Sequence, residues 1–431
     1  MDITNIKPNT KAFLHTKQGD FEAIILESPA NEIILIKLES GYNIGIREED
    51  ILNIKLTKEK KSKEQKVEVD NLKNIKIQND LKNIALVVTG GTISSKLDYK
   101  TGGVKWITNP NELLKFYPEL LEIANISKIE VPFMKASENM DSKDWEKLSE
   151  VVFRLLNDST ILGVIVTHGT DFLHYSAAAL SFSLKNLNKP VVLTYSQRSS
   201  DRASSDARLN LICAARAAIS DIAEVMLVGH ANENDEFCYA LKGTKVRKMH
   251  SSRRDTFKPI NTIPIAKVFP DKLEILNSYN KRDDKRKIDF KGKFSDKVAL
   301  VKFYPGQSPE ILEYYLKNKY KGIIIEMSGL GHVITEGKNN WIPKLKKVIK
   351  SGLIVCAAPQ TIYGRLDPYV YSAGRELEKT GVIYLEDMLS ETAFVKLSWV
   401  LENKKLKTKM QIKDAMLKNF AGEFNDSLRN D

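Results

Sequence analysis

The sequence predicts an α/β protein: a parallel sheet flanked by helices, divided into two units and preceded by a small β-barrel. Three observations lead there. Ile84-Ala85-Leu86-Val87-Val88 is an unbroken apolar run, the pattern of a strand buried on both faces. It stops at Gly90-Gly91, where the backbone is free to turn sharply. From residue 84 to about 280, strand-like apolar runs alternate with helical patterns, which implies parallel strands joined by helical crossovers. Ahead of this region, short β-like runs are crowded into residues 1–56, as in a small barrel.

A chain of 431 residues is too long for one compact core, and two or three domains are expected. No apolar run reaches membrane-spanning length, and the N-terminus lacks the apolar core of a signal peptide, so a cytoplasmic location is expected. The net charge of +11, from 66 basic against 55 acidic residues, is compatible with an RNA or other anionic partner without requiring one. It is concentrated at Lys55 to Lys82 and Lys281 to Lys297, runs that read as solvated linkers. Cys213, Cys238 and Cys356 are odd in number and scattered; they read as buried thiols, with neither a disulfide framework nor a zinc site.

Taken in order, residues 1–56 form the barrel, with strands at Ala23 to Leu26 and Ile33 to Leu38 and turns at Glu27 to Asn31 and Ser40 to Asn43. They carry no reactive constellation and read as a docking or spacer domain. Residues 57–82 are charged, with few large apolar groups, and read as an exposed connector. Residues 83–285 form the large α/β unit. Its expected strands are Ile84 to Val88, Ile161 to Val166, Pro190 to Thr194 and Ala223 to Val228. One helix is expected beyond Asp171 and another over Asp206 to Ser220. A polar stretch, 281–296, leads to a smaller α/β unit over 297–431. Its strands are expected at Val298 to Val301, Gly322 to Glu326 and Leu353 to Ala357, and its helices near Pro309 to Leu316 and Ile342 to Lys350. The final helices are expected to start at about Glu386 and run through Trp399.

Two loops carry hydroxyls beyond buried strands: Gly91-Thr92, and Gly169-Thr170-Asp171. Ligands of open α/β sheets bind beyond the carboxyl ends of the strands, so neighbouring strands would bring both threonines to one crevice. A threonine nucleophile needs a base, and a partly desolvated lysine can serve. Read singly, each motif is equally a plain turn. His168 is a possible base, but a histidine beside a loop glycine reads more readily as structural. The six histidines show no metal-ligand spacing such as HExxH. No GxxxxGK[ST] loop occurs, and Gly329-Leu330-Gly331 lacks the third glycine of a dinucleotide fingerprint.

Together, Thr89-Gly90-Gly91-Thr92-Ile93 and His168-Gly169-Thr170-Asp171 resemble the two signatures of the bacterial-type L-asparaginase family, and the likeness extends over roughly 84–400. It implies the asparaginase-like two-domain parallel-sheet fold, with a catalytic group of Thr92, Thr170, Asp171 and a lysine. The family's lysine stands at a constant offset from the phenylalanine of Thr256-Phe257-Lys258, which points to Lys248, with Lys245 as the alternative. By family position, Ser137 and Glu138 would bind the substrate's α-amino and α-carboxyl groups together with Asp171.

Finer features resemble one branch of the family, the D-type subunits of archaeal glutamyl-tRNA(Gln) amidotransferases. They are Gln197-Arg198-Ser199-Ser200-Asp201-Arg202, Ser204-Ser205-Asp206, Ser137-Glu138-Asn139-Met140, Tyr363-Gly364-Arg365, Asp387-Met388-Leu389 with Glu391-Thr392-Ala393, and the N-terminal barrel with Lys37-Leu38 and Gly41-Tyr42-Asn43. Two departures stand out: Ala358-Pro359-Gln360-Thr361, where a Cys is expected after the Gln, and Tyr195-Ser196 in place of Gly-Ala.

The resemblance implies a glutaminase half-reaction. Thr92 would attack the amide of glutamine, and ammonia would pass to a partner, the amidotransferase's E-type subunit, which holds the tRNA and uses ATP and Mg. This chain itself would bind no cofactor and no metal. It would form a homodimer within a heterotetramer, with Gly331-His332 near the neighbour's site. The rival readings are a stand-alone L-asparaginase, which usually lacks the barrel, and a non-catalytic RNA-binding scaffold.

Overall fold

The computed structural model describes residues 6, 10–26, 28, 32–38, 43–56, 80–97, 104–106, 117–200, 202 and 204–427. The connector expected at 57–82 lies almost wholly outside the described residues, as do most of the turns at 27–31 and 40–42, and Asp201. The N-terminal strands form a five-stranded antiparallel sheet in the order Asn43–Arg47, Ile33–Leu38, Gly19–Ile25, Thr10–Thr16, Ile51–Leu56. Alternation shapes it: Ala12 and Leu14 are buried while Phe13 and His15 face out, as side chains of period two require. The inward set, Ala12, Leu14, Ala23, Ile25, Ile36, Ile46 and Ile54, makes one small core.

The large unit is built on an eight-stranded sheet ordered Leu273–Ile275, Ala266–Val268, Cys238–Lys242, Val225–His230, Val191–Thr194, Val164–Thr167, Asn83–Val88, Asn125–Glu130. The last five are parallel, and the apolar runs read from the sequence supply four of them. The first three run antiparallel, so the sheet is mixed. Among the helices, Ser142–Leu156 opens with a capping box in which the Asp141 carboxylate accepts the N–H groups of Lys143 and Asp144. Such a cap contributes about 0.5–2 kcal/mol. Leu173–Ser183 is buried almost all round, wedged between the large sheet and helix Ser390–Leu401 of the small unit.

Segment 281–296 is strapped to the large unit. Arg282 N–H donates to Asp221 O, Arg286 Nη1 to Leu187 O, and Asp289–Phe290 pairs with Leu184–Lys185. The small unit has four parallel strands in the order Val298–Lys302, Gly322–Met327, Ile354–Pro359, Ile383–Tyr384. The helix expected to begin near Glu386 begins at Ser390. Glu386 holds φ +54°, a left-handed conformation that no helix accommodates, so Asp387 to Leu389 form a separate turn. All three cysteines are free and buried, as expected. Among the described residues, no helix is long and apolar enough to cross a membrane.

The departure at Tyr195 has a packing explanation. Its ring is fully buried, its hydroxyl donates to Arg254 O at 2.7 Å, and the space it occupies is left by Gly229. A Cβ at Gly229 would lie 2.3 Å from the ring. Gly229→Ala therefore overpacks this core and is expected to destabilise the chain by about 1–3 kcal/mol, measured by urea unfolding.

Candidate active site

The site begins with strand register. Asn83–Val88 and Val164–Thr167 are direct neighbours, with Val88 opposite Thr167, so the two hydroxyl-bearing loops leave the sheet side by side. Thr89 ties them, its N–H and its Oγ1 both donating to Thr167 O at 3.2 and 2.8 Å. Gly90 and Gly91 then turn with φ of +113° and +81°. A Cβ on Gly91 would stand 2.4 Å from Gly169 N and Cα, and one on Gly90 2.5 Å from Lys135 O. Both glycines are thus required for backbones to meet, a demand a plain turn does not make.

Thr92 opens a 3-10 turn, Thr92–Ser94. Ser95 Oγ donates to Thr92 O at 2.7 Å, and Ser200 Oγ to Ile93 O at 2.8 Å. The branch-marking Ser199-Ser200 stretch therefore supports the turn that carries Thr92.

Lys248 arrives from a hairpin of Val246–Lys248 with Phe257–Pro259. Its Nζ lies 2.8 Å from Thr170 Oγ1 and 2.7 Å from Asp171 Oδ1. Lys245 lies elsewhere: its Nζ is 2.5 Å from Asp387 Oδ2, both side chains only 1% exposed, and burial lowers its pKa against the pull of Asp387. Ser137 stands beside the second loop, its Oγ accepting Phe172 N–H at 3.3 Å. Glu138 is exposed and makes no hydrogen bond or ion pair to the group. Ser137 and Glu138 line a cavity of about 450 Å³ walled by Trp145, Phe172, Tyr175 and Phe394. Asp171 and Lys248 line a cleft of about 420 Å³ that also includes His174, Arg247 and Glu391.

His168 is fully buried and committed to structure. Its Nδ1 lies 2.8 Å from Gly169 O, a pure acceptor, so that nitrogen carries the proton. Its Nε2 then accepts from Ser176 Oγ at 2.8 Å. Ser176 in turn accepts Trp145 Nε1–H at 3.2 Å. With both ring nitrogens occupied and its pKa lowered to about 4 by desolvation, this imidazole fixes the Thr170 loop and takes no proton from a hydroxyl. His174, deeper in the cleft wall, is held to about 3, first by burial and then by the charges of Arg247 and Lys248. Its Nδ1 has no hydrogen-bond partner.

Arg247 and His174 were missed by pattern reading, since neither belongs to a motif. The Ala358-Pro359-Gln360-Thr361 departure falls at the end of a small-unit strand, where Gln360 N–H donates to Met327 O, apart from the two loops. Among the described residues, no group of three or more His, Cys, Asp or Glu could hold a metal ion.

Three family models match the chain: the GatD N-terminal domain over 14–57, asparaginase N-terminal over 83–281, and glutaminase/asparaginase C-terminal domain over 297–416. The D-type subunit of glutamyl-tRNA(Gln) amidotransferase from Thermococcus kodakarensis is 45% identical, over 96% of this chain and 94% of its own length. Its counterpart from Pyrococcus abyssi is also 45% identical, over the same shares. Among solved structures, the thermostable L-asparaginase from Thermococcus kodakarensis superposes with a TM-score of 0.71 at 27% identity. That match covers 80% of this chain and 100% of that one.

The two depressed histidines set a pH dependence. Their ordinary value is 6.5, and the folded values are about 4 and about 3, so between these limits the unfolded chain binds more protons. The stability they contribute is complete above 6.5 and is lost as pH falls towards 4. The midpoint of thermal unfolding is expected to fall from pH 7 to pH 5, and His174→Phe to flatten that slope, measured by calorimetry. Gly91→Ala is expected to separate the two loops and reduce turnover at least 100-fold, read in an amide-hydrolysis assay.

Proposed function

The chain belongs to the family of D-type glutamyl-tRNA(Gln) amidotransferase subunits, and we propose that it performs the glutaminase half-reaction with Thr92 as nucleophile and Lys248 as base. The observation that carries this reading is the bridging of Thr170 and Asp171 by Lys248 Nζ, on the loop that Gly91 packs against before the turn bearing Thr92. A neutral lysine amine has two N–H groups and one lone pair. Thr170 Oγ1 and Asp171 Oδ1 hold that nitrogen at 2.8 and 2.7 Å, and the lone pair of the neutral form is what would accept the proton.

In the first step, Thr92 Oγ1 bonds to the side-chain carbonyl carbon of glutamine as its proton passes to Lys248. The tetrahedral oxyanion is stabilised by backbone N–H groups of the glycine turn and the Thr170 loop, where one such donor is worth about 3 kcal/mol of barrier. The C–N bond then breaks and the proton goes to the leaving nitrogen, giving ammonia and an ester on Thr92. Water, deprotonated by the same amine, releases glutamate and restores the hydroxyl. By family position, Ser137 and Glu138 together with Asp171 hold the α-amino and α-carboxyl ends.

By its family, this glutaminase supplies ammonia for converting Glu-tRNA(Gln) to Gln-tRNA(Gln). The acceptor is the E-type subunit, which carries the tRNA and consumes ATP with Mg, in a cytoplasmic heterotetramer built on a homodimer of this chain. The full-length likeness to D-type subunits, N-terminal domain included, sets aside the stand-alone asparaginase reading. The intact Lys248, Thr170 and Asp171 contacts weigh against a non-catalytic scaffold.

Thr92→Ala is expected to abolish ammonia release while the far-ultraviolet spectrum and melting midpoint stay unchanged. Glutamine hydrolysis is expected to exceed asparagine hydrolysis and to rise when partner and charged tRNA are added. Efficient asparagine turnover by the chain alone, indifferent to both additions, would reverse the assignment.

A further inference from the structure

The segment Asp387 to Thr392 sets this branch apart in sequence, and although Glu391 lines the cleft with Asp171 and Lys248, its side-chain bonds go elsewhere. The segment touches the strand that carries Lys248. Thr392 Oγ1 donates to Thr244 O at 2.9 Å. Asp387 Oδ2 binds Lys245 Nζ at 2.5 Å in a fully buried pair, while its other oxygen accepts Asn425 N–H at 3.0 Å. Glu391 Oε1 binds Arg247 Nε at 3.1 Å.

These ties follow from strand geometry. Successive side chains of an extended strand point to opposite faces. Val246 packs into the large unit's core and Lys248 reaches Thr170, so Lys245 and Arg247 point the other way, into the small unit. There they meet two carboxylates spaced across one turn and the start of one helix. The hairpin is only three residues long on each side; Val246 and Phe257 anchor one face in the large unit's core, and the other face is held by the small unit. Its position on that second face is set by the small unit.

We propose that Asp387, Glu391 and Thr392 are positioning residues for the glutaminase reaction: they grip residues 244–247 from the small unit and so place the Lys248 amine against Thr170 and Asp171. The inference rests on the reading of Lys248 as base. The small unit thereby acts on the chemistry through one ion pair at the cleft rim, one buried ion pair and two hydroxyl bonds, that of Thr392 to Thr244 O and that of Thr244 to Ala421 O at 3.0 Å. Any shift of helix Ser390–Leu401 is transmitted to the amine directly. The buried pair is the anchor, because breaking it strands a charge in the interior. The Arg247–Glu391 pair is the adjustable contact, since Arg247 remains partly exposed.

The test uses the full chain assembled with its amidotransferase partner and charged tRNA, in steady-state glutamine hydrolysis. Arg247→Gln, Glu391→Gln and the double variant are compared with wild type. Each single variant is expected to lower kcat about 10- to 100-fold, the size of effect that a displacement near 1 Å produces. KM for glutamine should stay within about twofold and the melting midpoint within a few degrees. The double variant is expected to be no slower than either single one, because both remove the same contact, and Glu391→Asp to recover part of the loss. Thr392→Val, which removes only its own hydroxyl tie, is expected to lower kcat less, again without moving KM.

Unchanged kcat in all variants, a rise in KM alone, or multiplying losses in the double variant would overturn the proposal. Thr92→Ala runs in parallel. If it is inactive while Glu391→Gln matches wild type, only the positioning role fails. If it retains turnover, the assignment of Thr92 and Lys248 falls and the positioning role falls with it.

Discussion

The contact between Gly91 and Gly169 governs the rest of the site. Two parallel strands in register place the ends of their loops about 4.8 Å apart. Only backbones without side chains can then pass at the separation seen, where an added Cβ would sit 2.4 Å from Gly169. The spacing of the two hydroxyl corners is therefore set by the sheet register and fixed by the close passage of the two glycines. Thr89 and Ser94 bond across the same seam. Pre-organisation of this kind lowers a barrier because positional entropy is lost on folding and not again in each catalytic cycle.

Around that seam the chain separates groups that hold from groups that react by controlling where charge can exist. His168 and His174 are buried deeply enough to stay neutral at physiological pH, and the first of them is saturated with hydrogen bonds. Lys245 and Lys248 are the same residue type three positions apart, yet they meet opposite conditions. Lys245 is enclosed with a carboxylate that also receives a backbone N–H, a buried structural pair. Lys248 shares its nitrogen between a hydroxyl and a carboxylate that is itself largely exposed, which leaves room for a substrate.

How far the sequence foretold this depended on the length of each element. Ile84 to Val88, Pro190 to Thr194 and Gly322 to Glu326 were legible because long apolar runs admit one reading. The antiparallel edge was not. Ala266–Val268 and Leu273–Ile275 are three residues each, too short to show a period. The hairpin bearing Lys248 has the same defect, and family likeness alone found that lysine. The structure explains why the offset works: Phe257 lies directly across the hairpin from Lys248. A constant distance in sequence is therefore a strand register, kept as long as the intervening loop keeps its length. The helix expected from Glu386 failed for a local reason, a single left-handed residue, which composition does not reveal.

Division into two units follows from the same mechanics. The large sheet supplies two hydroxyls and a carboxylate from the ends of neighbouring strands, but it has no strand directed to deliver an amine against them. The amine comes from a separate two-stranded hairpin packed against helix Leu173–Ser183 and strand Cys238–Lys242, whose second face is held by the small unit. Helix Leu173–Ser183, buried almost all round, packs against both the large sheet and helix Ser390–Leu401 of the small unit. The turn at Asp387, made possible by the left-handed residue before it, brings both carboxylates to the hairpin's outer face. The proposed base thus reports whether the two units are correctly joined, and a partner that alters their union has direct mechanical access to the glutaminase step.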